Sequence, residues 1–102
     1  MYQVIRKQIR PNTDVNFFLS EDMVTTSTKQ YMYANYVQTG KQLTMSKNIS
    51  EDGLTLTVKQ VWLTNEAYIE CKSDPVSVAM KADLDAHIQA NGIVFEIEES
   101  EV

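Results

Sequence analysis

At 102 residues, 43% of them apolar and with only three glycines and two prolines, the chain can enclose one hydrophobic core and not two, so a single domain over residues 1–102 is expected. No apolar run approaches the roughly 18 residues of a membrane span, the first residues lack the charged-then-apolar pattern of a secretory leader, and Cys71 stands alone, so a cytoplasmic protein without disulfides or a membrane partner is expected. The net charge of −5 and the scatter of nine basic residues leave no footprint for a nucleic-acid backbone.

Tyr2 to Ile9 reads as a strand, with Ile5 and Ile9 on one face and Val4, Arg6, Gln8 and Arg10 on the other. Pro11, which has no N–H to donate, stops it. After a loop over Asn12 to Asp14, a helix is expected from about Val15 to Thr39, loosened at Thr25-Thr26-Ser27-Thr28 and stopped by Gly40. Val24, Tyr31 and Asn35 recur along it at helical spacing, and Met32 with Tyr36 and Tyr33 with Val37 are four apart. This wide apolar surface suits either the side of a helix laid on a sheet or the wall of an aromatic-lined pocket.

Lys41 to Ile49 and Leu54 to Trp62 each alternate apolar and polar residues about an Asp52-Gly53 turn, which reads as a hairpin. Thr64 or Asn65 caps a short helix over Glu66 to Cys71. Asp74-Pro75 starts the next helix, where Val76, Met80, Leu84 and Ile88 recur every four residues until Asn91-Gly92. A last strand alternates Ile93, Phe95 and Ile97 with Val94, Glu96 and Glu98.

That order predicts an α+β, ferredoxin-like βαββαβ domain, a four-stranded antiparallel sheet with helices on one face. The terminal strands then lie side by side, which sets the basic start (Arg6, Lys7, Arg10) against the acidic end (Glu96, Glu98, Glu99, Glu101). Parity predicts Ile5 and Ile9 on the helix-covered face with Ile93, Phe95 and Ile97, and Arg6 and Arg10 with Glu96 and Glu98 on the open face. That open face, with Thr44, Ser46, Asn48, Thr55, Thr57 and Lys59, suits a hydrated dimer contact or plain solvent.

Chemistry-bearing residues are sparse. His87, four after Asp83, fits an acid–base pair or an ordinary helical charge pair, and no metal-ligand spacing accompanies it. Cys71 reads as a packed thiol. No phosphate loop, paired-cysteine motif or nucleophile elbow is present in the sequence, so no catalytic residue, metal or cofactor is assigned.

Val61-Trp62, Glu66-Ala67-Tyr68 and Ser73-Asp74-Pro75 resemble the antibiotic-biosynthesis-monooxygenase-like group of dimeric α+β barrel proteins. In that group a third strand ends in tryptophan, a Glu-Ala-aromatic helix start follows, and a serine-proline segment leads to the next helix. The resemblance implies a homodimer and a pocket between sheet and helices, with Trp62 as the residue carried over. Where the group has histidines, this chain has Cys71 and Val76. Separately, Ile9 to Thr13 and Ser50 to Thr55 are similar to small uncharacterised proteins of large tailed phages. The expected pocket residues are Trp62, Tyr36, Tyr68, Tyr31 and Met80, with a small apolar or aromatic molecule as ligand. The function expected first is that of a non-enzymatic dimeric module. The alternatives are a monooxygenase-like or isomerase-like enzyme with its pocket beside Trp62, and a protein binder using the strand edge from Leu43 to Ile49.

Overall fold

The computed structural model describes the backbone of residues 1–102 and the side chains of all but residues 20 and 21. Strands β1 (Tyr2–Ile9), β2 (Gln42–Ile49), β3 (Thr55–Trp62) and β4 (Val94–Glu101) pair antiparallel in the order β2-β3-β1-β4. This is the split βαβ order, with the two terminal strands adjacent. The hairpin between β2 and β3 turns at Gly53, whose φ of +75° only glycine adopts without strain, and Asp52 braces it by accepting from the Ser50 hydroxyl and the Leu54 N–H. Those two donors, Ser50 foremost, hold the Asp52 carboxyl below its ordinary range.

The single helix expected between β1 and β2 is instead a loop followed by α1 (Ser20–Met23), α2 (Thr26–Met32) and a π-helical turn over Tyr33–Val37. The helix starts late because Gln8 takes up the backbone of Phe18: its amide donates to the Phe18 carbonyl at 2.9 Å and accepts the Phe18 N–H at 2.8 Å. A second break falls at Thr25, whose hydroxyl caps α2 by accepting the Thr28 N–H. After the hairpin, α3 (Asn65–Ser73) is capped by Thr64 and α4 (Pro75–Asn91) by Asp74, and Gly92 closes α4 in the left-handed conformation. Among the described residues, no helix is long and apolar enough to cross a membrane.

The β1 parity expected from sequence is inverted. Arg6 bonds to Gln60 on β3 and to Tyr68 on α3, and Gln8 reaches the loop at Phe18, so the even residues of β1 face the helices. Ile5 and Ile9, being odd, lie on the open face, where Lys7 sits opposite Glu96 and Ile5 opposite Glu98. Arg10 belongs to neither charge ladder. It donates to the carbonyls of Gly53 and Val15 and covers the Phe17 ring at 4.2 Å, tying the hairpin to the loop after β1.

Burial concentrates where α3 meets the sheet. Val4, Tyr36, Trp62, Ala67, Tyr68 and Cys71 form the core cluster. Trp62, only 2% exposed, meets Tyr68 with ring centres 5.6 Å apart and Tyr36 at 6.4 Å, while Tyr2 stacks on Tyr68 at 5.8 Å. By contrast α4 has no fully buried residue, and its apolar row is only half-covered. The edge strand β2 is barer still, with Met45 50% and Ile49 52% exposed, because the sheet order places it beyond the helices.

Candidate functional site

The loose seating of α4 leaves a cavity of about 470 Å³ between that helix, α3 and the sheet. Phe18, Val24, Met32, Met80, Leu84 and Ile97 supply apolar walls. The floor is different. Arg6 on β1, Gln60 on β3 and Glu99 on β4 point up from the sheet, and Tyr68 comes down from α3. Helical spacing explains the roof, since Met80 and Leu84 are successive members of the four-residue apolar row. A smaller cavity of about 150 Å³ shares Arg6, Phe18, Gln60 and Leu84 with the first and extends toward Met45 and Leu56.

The floor residues form one hydrogen-bonded chain. Arg6 donates through Nη1 to Gln60 Oε1 at 2.6 Å and through Nη2 to the Tyr68 hydroxyl at 3.1 Å. Gln60 Oε1 also accepts from Trp62 Nε1 at 3.3 Å, and two donors converging on one atom identify it as the carbonyl oxygen. Tyr68 passes its single proton toward Glu99 Oε2 at 3.4 Å, and Tyr2 donates to Glu99 Oε1 at 2.8 Å. That bond to Glu99 is the main cause that pushes the Tyr2 phenol up to about 12. Burial raises Tyr68 and the nearby Arg6 charge opposes it, so both phenols are neutral donors at pH 7.

Of the residues expected in a pocket, Trp62, Tyr68 and Met80 line the cavity, whereas Tyr31 and Tyr36 do not. Both send their hydroxyls to the same oxygen of Asp74, at 2.7 and 2.6 Å, while its other oxygen accepts the Val76 N–H. In an α-helix two residues five apart diverge by about 140°; the wider π-helical turn brings these two to one side. The three bonds, Tyr36 foremost, hold the Asp74 carboxyl below its ordinary range, and Tyr36 and Tyr31 are raised, by burial first for Tyr36 and by the Asp74 bond first for Tyr31.

His87 lies elsewhere. Its Nε2 contacts the Asn16 carbonyl at 2.6 Å, which requires the proton on that nitrogen, and its ring rests near Phe18. Asp83 is not among its hydrogen-bond partners, so the two do not form an acid–base pair. Cys71 is buried at the cavity wall, and burial first of all pushes its thiol up, which disfavours the nucleophilic thiolate. No cluster of metal-ligating side chains occurs among the described residues. Arg6, Gln60 and Glu99 are site residues that the sequence reading missed; the signal for them was Gln60, a polar residue on the otherwise apolar face of β3.

No family model and no curated protein matches the chain. Solved structures do. The cofactor-independent oxygenase SnoaB from Streptomyces nogalater aligns with a TM-score of 0.65 at 11% identity, over 99% of this chain and 91% of that one. The fold is that of the antibiotic biosynthesis monooxygenases. Another structure named as an antibiotic biosynthesis monooxygenase aligns with a TM-score of 0.62 at 13% identity, over 100% of this chain and 98% of that one. Rv0793 from Mycobacterium tuberculosis gives 0.60 at 12% identity, over 100% and 96%. At such identities the likeness to the monooxygenases is one of fold alone.

Proposed function

We propose that this protein is a small-molecule-binding module built on the monooxygenase fold, holding an apolar or aromatic ligand in the cavity under α4. The carrying observation is the cavity itself: about 470 Å³, with apolar walls and a few converging polar groups on its floor. That size lies within the about 300–1,000 Å³ of small-molecule sites. Calorimetric titration with naphthalene-2-methanol, a neutral two-ring probe, is expected to show saturable binding that Leu84→Trp abolishes by filling the space. Saturable binding unaffected by Leu84→Trp, or no binding of either this alcohol or its carboxylate analogue, naphthalene-2-carboxylate, refutes the reading.

The Tyr68–Glu99 pair favours a second, enzymatic reading of the monooxygenase-like or isomerase-like kind. A carboxylate at the wall can accept a proton from an acidic C–H of the ligand, and the Arg6 charge can face the enolate oxygen left behind. Exchange of the α-hydrogens of 2-tetralone in deuterated water tests it. Acceleration by the protein that is lost in Glu99→Gln supports this reading, and exchange at the buffer rate removes it.

The uncovered sheet face supports a homodimer. Ile5, Ile9, Val61 and Val94 provide apolar area there, Lys7 stands opposite Glu96, and Lys59 and Glu98 flank Ile5 on its two sides, a mixture that a two-fold axis can make self-complementary. Sedimentation equilibrium is expected to give twice the chain mass of 11.6 kDa, and Ile5→Glu to return it to one. A single-chain mass for the unaltered protein overturns the dimer.

A further inference from the structure

We infer that the ligand of this cavity is a monoanion, an apolar molecule whose single carboxylate is recognised by Arg6; this rests on the cavity being a ligand site. The distribution of charge is the first observation. The chain carries fourteen acidic and nine basic residues, yet the cavity is lined by three of the bases, Arg6, Lys72 and Lys81, and by one acid, Glu99. A net-negative protein has gathered positive charge around this space.

The bonding of each charge selects Arg6. Lys81 is held by Asp85 at 2.7 Å, and Lys72 lies over the Tyr68 ring at 5.2 Å. Both oxygens of Glu99 are engaged by phenols, one by Tyr2 and one by Tyr68. Arg6 is half-buried, its partners Gln60 and Tyr68 are neutral, and no ion pair to it exists among the described residues. The nearest carboxylate on its chain of bonds, Glu99, reaches it only through the Tyr68 hydroxyl, so this guanidinium at the base of an apolar chamber has no direct ion pair and can take up an anion. Its planar fork matches a carboxylate, whereas a dianion would set uncompensated charge against Met80, Leu84 and Ile97.

Matched probes test this: naphthalene-2-carboxylate and naphthalene-2-methanol share a ring system and differ in charge. Calorimetry on the unaltered protein is expected to show the carboxylate bound at least about tenfold more tightly. Arg6→Gln should erase that preference by weakening the carboxylate more than the alcohol, and Lys72→Gln should leave the preference in place. Arg6→Lys, which keeps the charge and loses the fork, should retain part of it, and it decides the matter if Arg6→Gln does not fold. Equal affinity for the two probes, a preference undiminished in Arg6→Gln or Arg6→Lys, or one lost in Lys72→Gln overturns the inference while the ligand site stands. Binding of neither probe overturns both.

Discussion

Where α3 meets the sheet, Trp62, Tyr68, Tyr36 and Val4 close on one another with almost no exposed area; where α4 crosses it, Met80 and Leu84 face Arg6, Gln60 and Glu99 across open space. One strand runs beneath both regions. Along β1 the helix-facing residues change from Tyr2 and Val4 to Arg6 and Gln8, so the two regions are set by four positions of a single strand. An apolar helix can sit flush on the first pair. Seating it on the second would bury a guanidinium against methyl groups, which costs more than the ~2–7 kcal/mol of an uncompensated neutral polar group. The cavity is therefore the consequence of a polar floor under an apolar roof, and the dry aromatic end is what keeps the hollow end from collapsing the fold.

If that contrast is right, the largest effect belongs to Trp62. Trp62→Ala removes the ring that meets both Tyr36 and Tyr68 and should cost about 3–5 kcal/mol in urea unfolding followed by circular dichroism. Against a typical domain stability of about 5–15 kcal/mol, this leaves a marginal fold. A loss below about 1 kcal/mol would show that the aromatic end is not the packed half of the molecule.

The next effect tests how the π-helical turn is pinned. Asp74→Ala removes the cap of α4 and the common acceptor of Tyr31 and Tyr36, and should lower the melting temperature by on the order of 5–10 °C. Tyr36→Phe should do less, and Tyr31→Phe, at an exposed position, least. The dependence on pH has a definite sign. A carboxyl whose native value is lowered contributes stability that is complete above its unfolded value and fades as pH falls through the native one. Since Asp74 is such a group, the gap between unaltered protein and Asp74→Ala should be constant near neutrality and shrink as pH falls below its ordinary value of 3.8. A gap independent of pH down to that region would mean that the phenols do not depend on the ionised carboxylate.

Much of this architecture was legible in the sequence, and the part that was not shares one cause. Strand order, the Asp52-Gly53 turn, the Thr64 and Asp74 caps and the Gly40 and Gly92 stops follow from local chemistry that no tertiary contact overrides. Trp62, Tyr68 and Met80 could be placed near a cavity because they sit on the apolar faces of their elements. The sequence misled where polar groups turn inward. Valine and isoleucine are adjacent at positions 4 and 5 and each face of β1 carries one charge, Arg6 or Lys7, so either face could be read as apolar, and the side with two isoleucines is the natural choice. Arg6 and Gln8 point inward because their hydrogen bonds are completed by Gln60, Tyr68 and the Phe18 backbone, partners that lie ten or more positions away. The late start of α1 follows from the same Gln8 contact. The convergence of Tyr31 and Tyr36 depends on a turn type that periodicity at 3.6 residues does not register.

The smallest expected effect is the sharpest test of the contrast. Leu84 belongs to the regular apolar row of α4, and in a packed helix–sheet interface Leu→Ala costs about 2–5 kcal/mol, part of it for the new void. Here the void exists already, and Leu84 is only partly covered. Truncating it enlarges an open space without creating one, and alanine is the better helix former, so Leu84→Ala should cost less than about 1 kcal/mol. Binding of the neutral naphthalene probe should weaken at the same time, because the lost methyl groups are part of the wall that touches it. A residue that matters little to the empty protein and noticeably to the occupied one is what a ligand chamber predicts. A loss of about 2 kcal/mol or more in the empty protein would instead mean that α4 packs on the sheet in solution and that the space beneath it closes.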